Sequence, residues 1–188
     1  MWVVVNKSRA LDPSTYEPPD LVYPPVANVN DQPVRREVSE ALTALFAAAR
    51  SEAGLEFRLQ SGYRSYQMQV NDYAGDVAAH GRAYADMDTA RPGFSEHQTG
   101  LAVDISAASG RCTLNACFGQ MPEGQWLAAN AWRFGFLLRY PEDKVAVTGY
   151  TYEPWHFRYV GVPLATELHN TGTTTLEEFF GVPGGESY

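Results

Sequence analysis

Apolar residues recur at helical spacing through Val38, Ala41, Leu42, Leu45, Phe46 and Ala49. This period predicts an amphipathic helix of about 20 residues that opens at Asp31-Gln32-Pro33 and stops at Gly54. Leu55 to Gln60 follows as a strand, and a second helix runs from Ser65 to Ala79, ending at His80-Gly81. Between Leu101 and Ser106 the period changes to two. Leu101, Val103 and Ile105 then face one side of a half-buried strand, and Ala102, Asp104 and Ser106 face the other. Gly124 to Phe134 predicts a third helix with Trp126, Leu127, Ala131 and Phe134 inward. Phe136 to Tyr140 and Trp155 to Val160 are further strands, residues 2–5 a short one, and Val162 to His169 and Thr175 to Phe180 closing helices.

Strands and helices do not alternate in a βαβ rhythm. The expected fold is therefore α+β, a single domain over residues 1–188 in which a small antiparallel sheet packs against several helices. Residues 11–33 hold six prolines and predict an ordered surface strap. Residues 34–180 would form the catalytic core.

Composition narrows the function classes. The chain has 188 residues, 45% hydrophobic and 19% charged, an ordinary globular balance. Its net charge of −8, without a basic run, argues against nonspecific nucleic-acid binding. No apolar run is long enough for a membrane span, and Met1 to Val5 is too short for the apolar core of a signal peptide. A cytoplasmic protein and a chain lacking its export segment both fit. Cys112 and Cys117 are spaced for a local disulfide, which would indicate an oxidising compartment and contribute about 2 kcal/mol. That loop is expected to lie apart from the motifs below.

Two stretches carry the candidate chemistry. His97 and Asp104 stand seven positions apart within Ser95 to Asp104, and Glu153-Pro154-Trp155-His156 adds a second imidazole near the C-terminus. Two imidazoles and a carboxylate are the usual three ligands of a hydrolytic zinc, which leaves Glu153 free to act as the base for a water. Pro154 biases Glu153 toward extended backbone, suited to an arm reaching into a site. Taken singly, these residues have blander readings: a solvated turn histidine, and a surface salt bridge for Glu153. His80 and His169 take the bland reading, as do Asp86 and Asp88, a small solvated acidic loop. Most of the 11 tyrosines would be half-buried packing.

The Ser-x-His-x-x-Gly-x-Ala-x-Asp pattern followed by Glu-Pro-Trp-His resembles the zinc D-alanyl-D-alanine carboxypeptidases of bacterial walls, the VanY-like branch of the M15 peptidases. Ser61 to Tyr66 with Gln69, Asn130-Ala131 before Phe134 to Phe136, Arg139-Tyr140-Pro141 and Gly149 to Gly161 fit the same pattern. The resemblance implies one zinc held by His97, Asp104 and His156, and general-base catalysis by Glu153. It makes Arg64 the cation that steadies the oxyanion or grips the substrate carbonyl, and makes Ser95 and Gln69 substrate-binding groups. The implied substrate is a peptidoglycan stem peptide that loses its terminal D-alanine outside the membrane, which favours a chain lacking its export segment. An L,D-carboxypeptidase acting on tetrapeptide stems and a peptidoglycan endopeptidase are the enzymatic alternatives. A wall-binding module without turnover is the non-enzymatic one.

Overall fold

The structure, a computed structural model, describes residues 2–185 and 187–188. Met1 and Glu186, which belong to the expected 1–188 domain, lie outside the described residues. The short strands β1 (Leu21–Val22) and β2 (Val34–Arg35) precede helix α1 (Arg36–Ala53). Strand β3 (Phe57–Ser61) leads into helices α2 (Tyr66–His80) and α3 (Arg82–Asp88). Strand β4 (Ala102–Ala107), helix α4 (Pro122–Asn130) and strand β5 (Phe136–Leu138) follow. The one-turn helix α5 (Val145–Thr148), strand β6 (His156–Tyr159) and helices α6 (Val162–Thr171) and α7 (Leu176–Phe180) complete the chain.

Four strands form one antiparallel sheet in the order β3-β4-β6-β5, while β1 and β2 pair separately. The fold is thus α+β with small antiparallel sheets. The inward side of the main sheet is apolar because its alternating positions are apolar. Leu59, Val103, Ile105, Phe136 and Phe157 pack there against Val38, Leu42 and Leu45 of α1. Ala41 and Phe46, on the edge of the same helical stripe, are only partly buried. Burial of such side chains is worth roughly 1.5–3 kcal/mol each and fixes which face of each strand is left for chemistry.

Several elements differ from expectation. Helix α1 begins at Arg36, because Val34 and Arg35 are drawn into pairing with Val22 and Leu21. Strand β4 is buried at all six positions and is not half-buried, since it lies between β3 and β6 and its polar side is closed over by the site. The Gly124 to Phe134 helix breaks at Asn130, whose φ is −124° and whose side chain donates to the Trp126 carbonyl; a 3₁₀ turn, Ala131–Phe134, continues it. Residues 2–5 pair with no strand. The Trp2 indole donates to the Val160 carbonyl, and the Val3 carbonyl accepts from Arg158. The expected acidic loop at Asp86 and Asp88 is helix α3, where Asp86 accepts hydrogen bonds from Tyr73 and Arg91.

The proline-rich strap is ordered by the sheet edge it follows. Leu59 N–H donates to Ala27 and Val29 N–H to Leu59, while the Gln32 side chain accepts from Gly62 N–H. Cys112 and Cys117 are disulfide-bonded. Among the described residues, no helix is long and apolar enough to cross a membrane.

Candidate active site

The register of the sheet assembles the site. Asp104 on β4 lies directly opposite His156 on β6, so both side chains leave the same face. A register shift between Leu59 and Ser61 brings Ser61 of β3 opposite Asp104 on its other side.

His97 arrives from a 3₁₀ turn, Glu96–Thr99, that ends at Gly100 with φ +67°. A Cβ at Gly100 would lie 2.9 Å from Arg35 Cγ, so the turn needs glycine for space as well as for conformation. The Thr99 hydroxyl donates to the Glu96 carbonyl and accepts from Leu101 N–H, and Gln98 donates to the Ser14 and Tyr16 carbonyls. Every residue of the turn is buried, so His97 is a fixed side chain and not a solvated one.

His97 Nδ1 lies 2.8 Å from the Gly62 carbonyl, which can only accept, so this nitrogen carries the proton. Its Nε2 then presents a lone pair to Asp104 Oδ2 at 3.3 Å. His156 Nδ1 faces Asp104 Oδ1 at 3.1 Å, and the two imidazoles meet edge-on with centroids 5.0 Å apart. Burial pushes the His97 pKa down, which disfavours a second proton there. Burial acts the same way on His156, but the Asp104 and Glu96 carboxylates override it and raise that pKa to about 9. Burial would likewise raise the Asp104 pKa, yet the two histidines hold it well below the usual carboxylate range.

His97 Nε2 and the Asp104 carboxylate are acceptors meeting at one buried point, and His156 Nδ1 joins them once it gives up its proton; such a set calls for a cation. The donor atoms of His97, Asp104 and His156 lie within 4.8 Å of one another, and two imidazoles with a carboxylate suit zinc. The residues present therefore fit the metal that the motif implies.

Glu96 was not singled out by the sequence. Its Oε1 accepts from Arg139 at 2.9 Å and Arg158 at 2.8 Å, and its Oε2 lies 3.7 Å from His156 Nε2, an ionic contact beyond hydrogen-bond length. Arg139 in turn forms a two-pronged pair with Glu177. Burial favours the neutral form of Glu96, but the two guanidiniums prevail and depress its pKa. The signal was present as two arginines, Arg139 and Arg158, within otherwise apolar strand sequence.

Glu153 sits on an extended arm between α5 and β6. Its N–H donates to the Tyr140 carbonyl, and its own carbonyl accepts from His156 N–H. Its carboxylate lies 3.7 Å from His156 Nδ1. Burial pushes its pKa up to about 8; His156 opposes the shift, and Asp104 and Asp88 add to it. A buried carboxyl tuned toward neutrality is the environment of a general acid-base group.

Arg64 follows β3 at the mouth of the same cleft. Its guanidinium donates to Gln69 at 3.1 Å and pairs with the half-exposed Asp72 at 3.3 Å. Gln69 is fully buried, and its amide nitrogen donates to the Ala90 carbonyl. Ser95 lines the cleft directly before the His97 turn. All seven residues singled out from the sequence thus border one cleft. Asp88, Tyr140, Tyr150, Trp155 and Leu114 border it as well. Leu114 belongs to the Cys112–Cys117 loop, so that loop reaches the site and does not lie apart from the motifs as expected. His80 and His169 are elsewhere, one paired with Asp76 and the other stacked on Trp132.

Residues 31–162 match the family model described as VanY: D-alanyl-D-alanine carboxypeptidase. The chain is 44% identical over 182 residues to YodJ of Bacillus subtilis (strain 168), covering 94% of this chain and 66% of that relative. It therefore spans just under two thirds of that relative's length. The solved LdcB LD-carboxypeptidase superposes with a TM-score of 0.86 at 44% identity, over 94% of this chain and 84% of that one. A vancomycin resistance D,D-pentapeptidase VanY, solved as a point mutant in complex with Zn(II), superposes with a TM-score of 0.78 at 34% identity, over 95% and 98%. Motifs, sheet register and these likenesses converge: the chain belongs to the VanY D-alanyl-D-alanine carboxypeptidase family.

Proposed function

We propose that this protein is a zinc carboxypeptidase that removes the C-terminal D-alanine from peptidoglycan stem peptides. The observation that carries the reading is the buried His97–Asp104–His156 cluster with Glu153 and Arg64 on the same cleft. His97, Asp104 and His156 would hold the metal. Zinc bound there supplies a Lewis acid for the scissile carbonyl and lowers the pKa of a water.

The chain's own side chains do the rest. Glu153 takes the proton of the attacking water and returns it to the leaving amine, a role supported by its burial and raised pKa. Arg64 donates to the oxygen on which negative charge develops. Gln69 acts largely by holding Arg64, because its amide joins that guanidinium to the Ala90 carbonyl. Ser95 offers a hydroxyl to the substrate backbone. Glu96 orients His156 from behind. We place the site of action outside the membrane, supported by the Cys112–Cys117 disulfide and by the location of such a substrate.

A second reading, L,D-carboxypeptidase activity on tetrapeptide stems, is favoured by the LdcB likeness. Synthetic pentapeptide and tetrapeptide stems, incubated with zinc-loaded protein and analysed by mass spectrometry, separate the two. Loss of one alanine from the pentapeptide supports the first reading. Release from the tetrapeptide alone supports the second, and an intact substrate in both arms refutes the pair.

A further inference from the structure

Leu114 is the only large aliphatic side chain among the described residues lining the cleft, and it is 45% exposed. A single exposed leucine is ordinary on a surface; what sets this one apart is its place on the lining of an otherwise polar cleft. It also sits on a carefully built loop. The Cys112–Cys117 bridge closes the loop, and Cys112 and Leu114 both take left-handed backbone conformations, with φ of +53° and +49°. Internal hydrogen bonds run from Thr113 to Gly110, Asn115 to Cys112 and Cys117 to Asn115.

The loop is then seated in the molecule. Phe118, directly after it, is fully buried in the main core. An added Cβ at Gly119 would lie 2.3 Å from the Tyr152 hydroxyl and 3.1 Å from Pro154 Cβ. The 3₁₀ turn into which the loop leads is thus packed against the arm that carries Glu153. The cationic group of the cleft, Arg64, belongs to a different cluster, tied through Gln69 to Ala90. A carboxypeptidase substrate has two unlike ends, a charged terminal residue and a longer chain leading away from it. The polar side of the cleft, where Arg64 serves the reacting carbonyl, suits the end that holds the scissile bond; a rigid apolar knob suits the chain leading away.

We propose that Leu114 is a specificity-determining residue that packs on apolar atoms of the stem peptide upstream of the scissile bond, and that the Cys112–Cys117 bridge holds it there. This rests on the carboxypeptidase reading above. Its consequence is that the enzyme distinguishes long stems from minimal substrates through a disulfide-held side chain.

The test compares a stem pentapeptide with N-acetyl-D-alanyl-D-alanine. Leu114→Ser should lower the stem-to-dipeptide ratio of kcat/KM about tenfold, mainly through KM, the loss expected for one leucine contact. The double variant C112S/C117S avoids thiol reductants that would strip the metal, and should lower the ratio similarly. Adding Leu114→Ser to it should cause little further loss, since both act through one contact. An unchanged ratio in Leu114→Ser, or fully additive losses, would overturn the proposal. Calorimetric binding of the stem to zinc-loaded Glu153→Gln protein, with and without Leu114→Ser, decides the matter even if the wild type cleaves neither substrate. In that case the catalytic reading fails, whereas a tenfold weaker Kd sustains Leu114 and an equal Kd removes it.

Discussion

Glu153 concentrates the chemistry at the scale of one residue. On the proposed assignment three other side chains supply the metal ligands, so Glu153→Gln should keep the fold and the zinc while kcat falls by about 10²–10⁴. Zinc lost from that variant would make Glu153 a ligand, and full activity would assign the proton transfer elsewhere. The same carboxyl gives a pH signature in metal-free protein. Its pKa is raised from the ordinary 4.5 to about 8, so the folded state holds the proton more tightly than the unfolded one. Its contribution to stability is present at low pH and is lost as pH rises across that window. The thermal midpoint of chelated Glu153→Gln should therefore gain on the wild type between pH 5 and pH 9. A constant difference between the two would show that Glu153 is not desolvated. Arg64→Lys replaces a planar fork by a point charge. It should lower kcat more than it raises KM, and a change confined to KM would make Arg64 a simple anchor.

At the scale of elements, the site depends on one register and one turn. Asp104 faces His156 only because β4 and β6 pair as they do, and a slip of one residue would turn Asp104 into the core. Gly100 holds the His97 turn against Arg35, where a Cβ has no room. Gly100→Ala should destabilise the protein by about 1–3 kcal/mol and weaken zinc binding together, read from denaturant unfolding and metal titration. Unchanged values for both would show that the turn tolerates a side chain. Behind His156, Glu96 neutralises Arg139 and Arg158 at a site with no solvent access. Glu96→Ala removes the buried carboxylate that both guanidiniums share and should cost about 3–5 kcal/mol. The gentler Glu96→Gln should fold and lose about 10–100-fold in zinc affinity, since it still fills the space but no longer attracts the His156 proton.

For the whole molecule, metal and fold are linked. On the proposed assignment the three ligands come from a turn, β4 and β6 and meet only in the folded chain, so chelation should lower the melting temperature as well as abolish hydrolysis. Zinc should restore both, and metal analysis should give about one zinc per chain. Full activity in metal-free protein would remove the mechanism. The N-terminal segment belongs to the same cooperative unit. Val3 accepts from Arg158, and Asn6 donates to Glu177, the partner of Arg139. Melting should accordingly be a single transition.

The sequence by itself determined the local features. The α1 stripe, the alternation of β4 and the two motifs, one holding His97 and Asp104 and the other Glu153 and His156, are each readable from residues within about a dozen positions of one another. Short-range periodicity and side-chain chemistry are properties of a contiguous segment. Helix α1 starts later than its periodicity predicts because Val34 and Arg35 answer to β1, twelve or more residues away. The places of Glu96, Asp88, Tyr140, Tyr150 and Leu114 on the cleft are illegible in the sequence for the same reason. A carboxylate between a serine and a histidine looks solvated until Arg139 and Arg158 close over it, and a leucine in a short disulfide loop looks incidental until Phe118 and Gly119 seat that loop beside Glu153. Those roles were decided only by the tertiary structure, because burial and charge pairing depend on which distant segments the sheet register brings together.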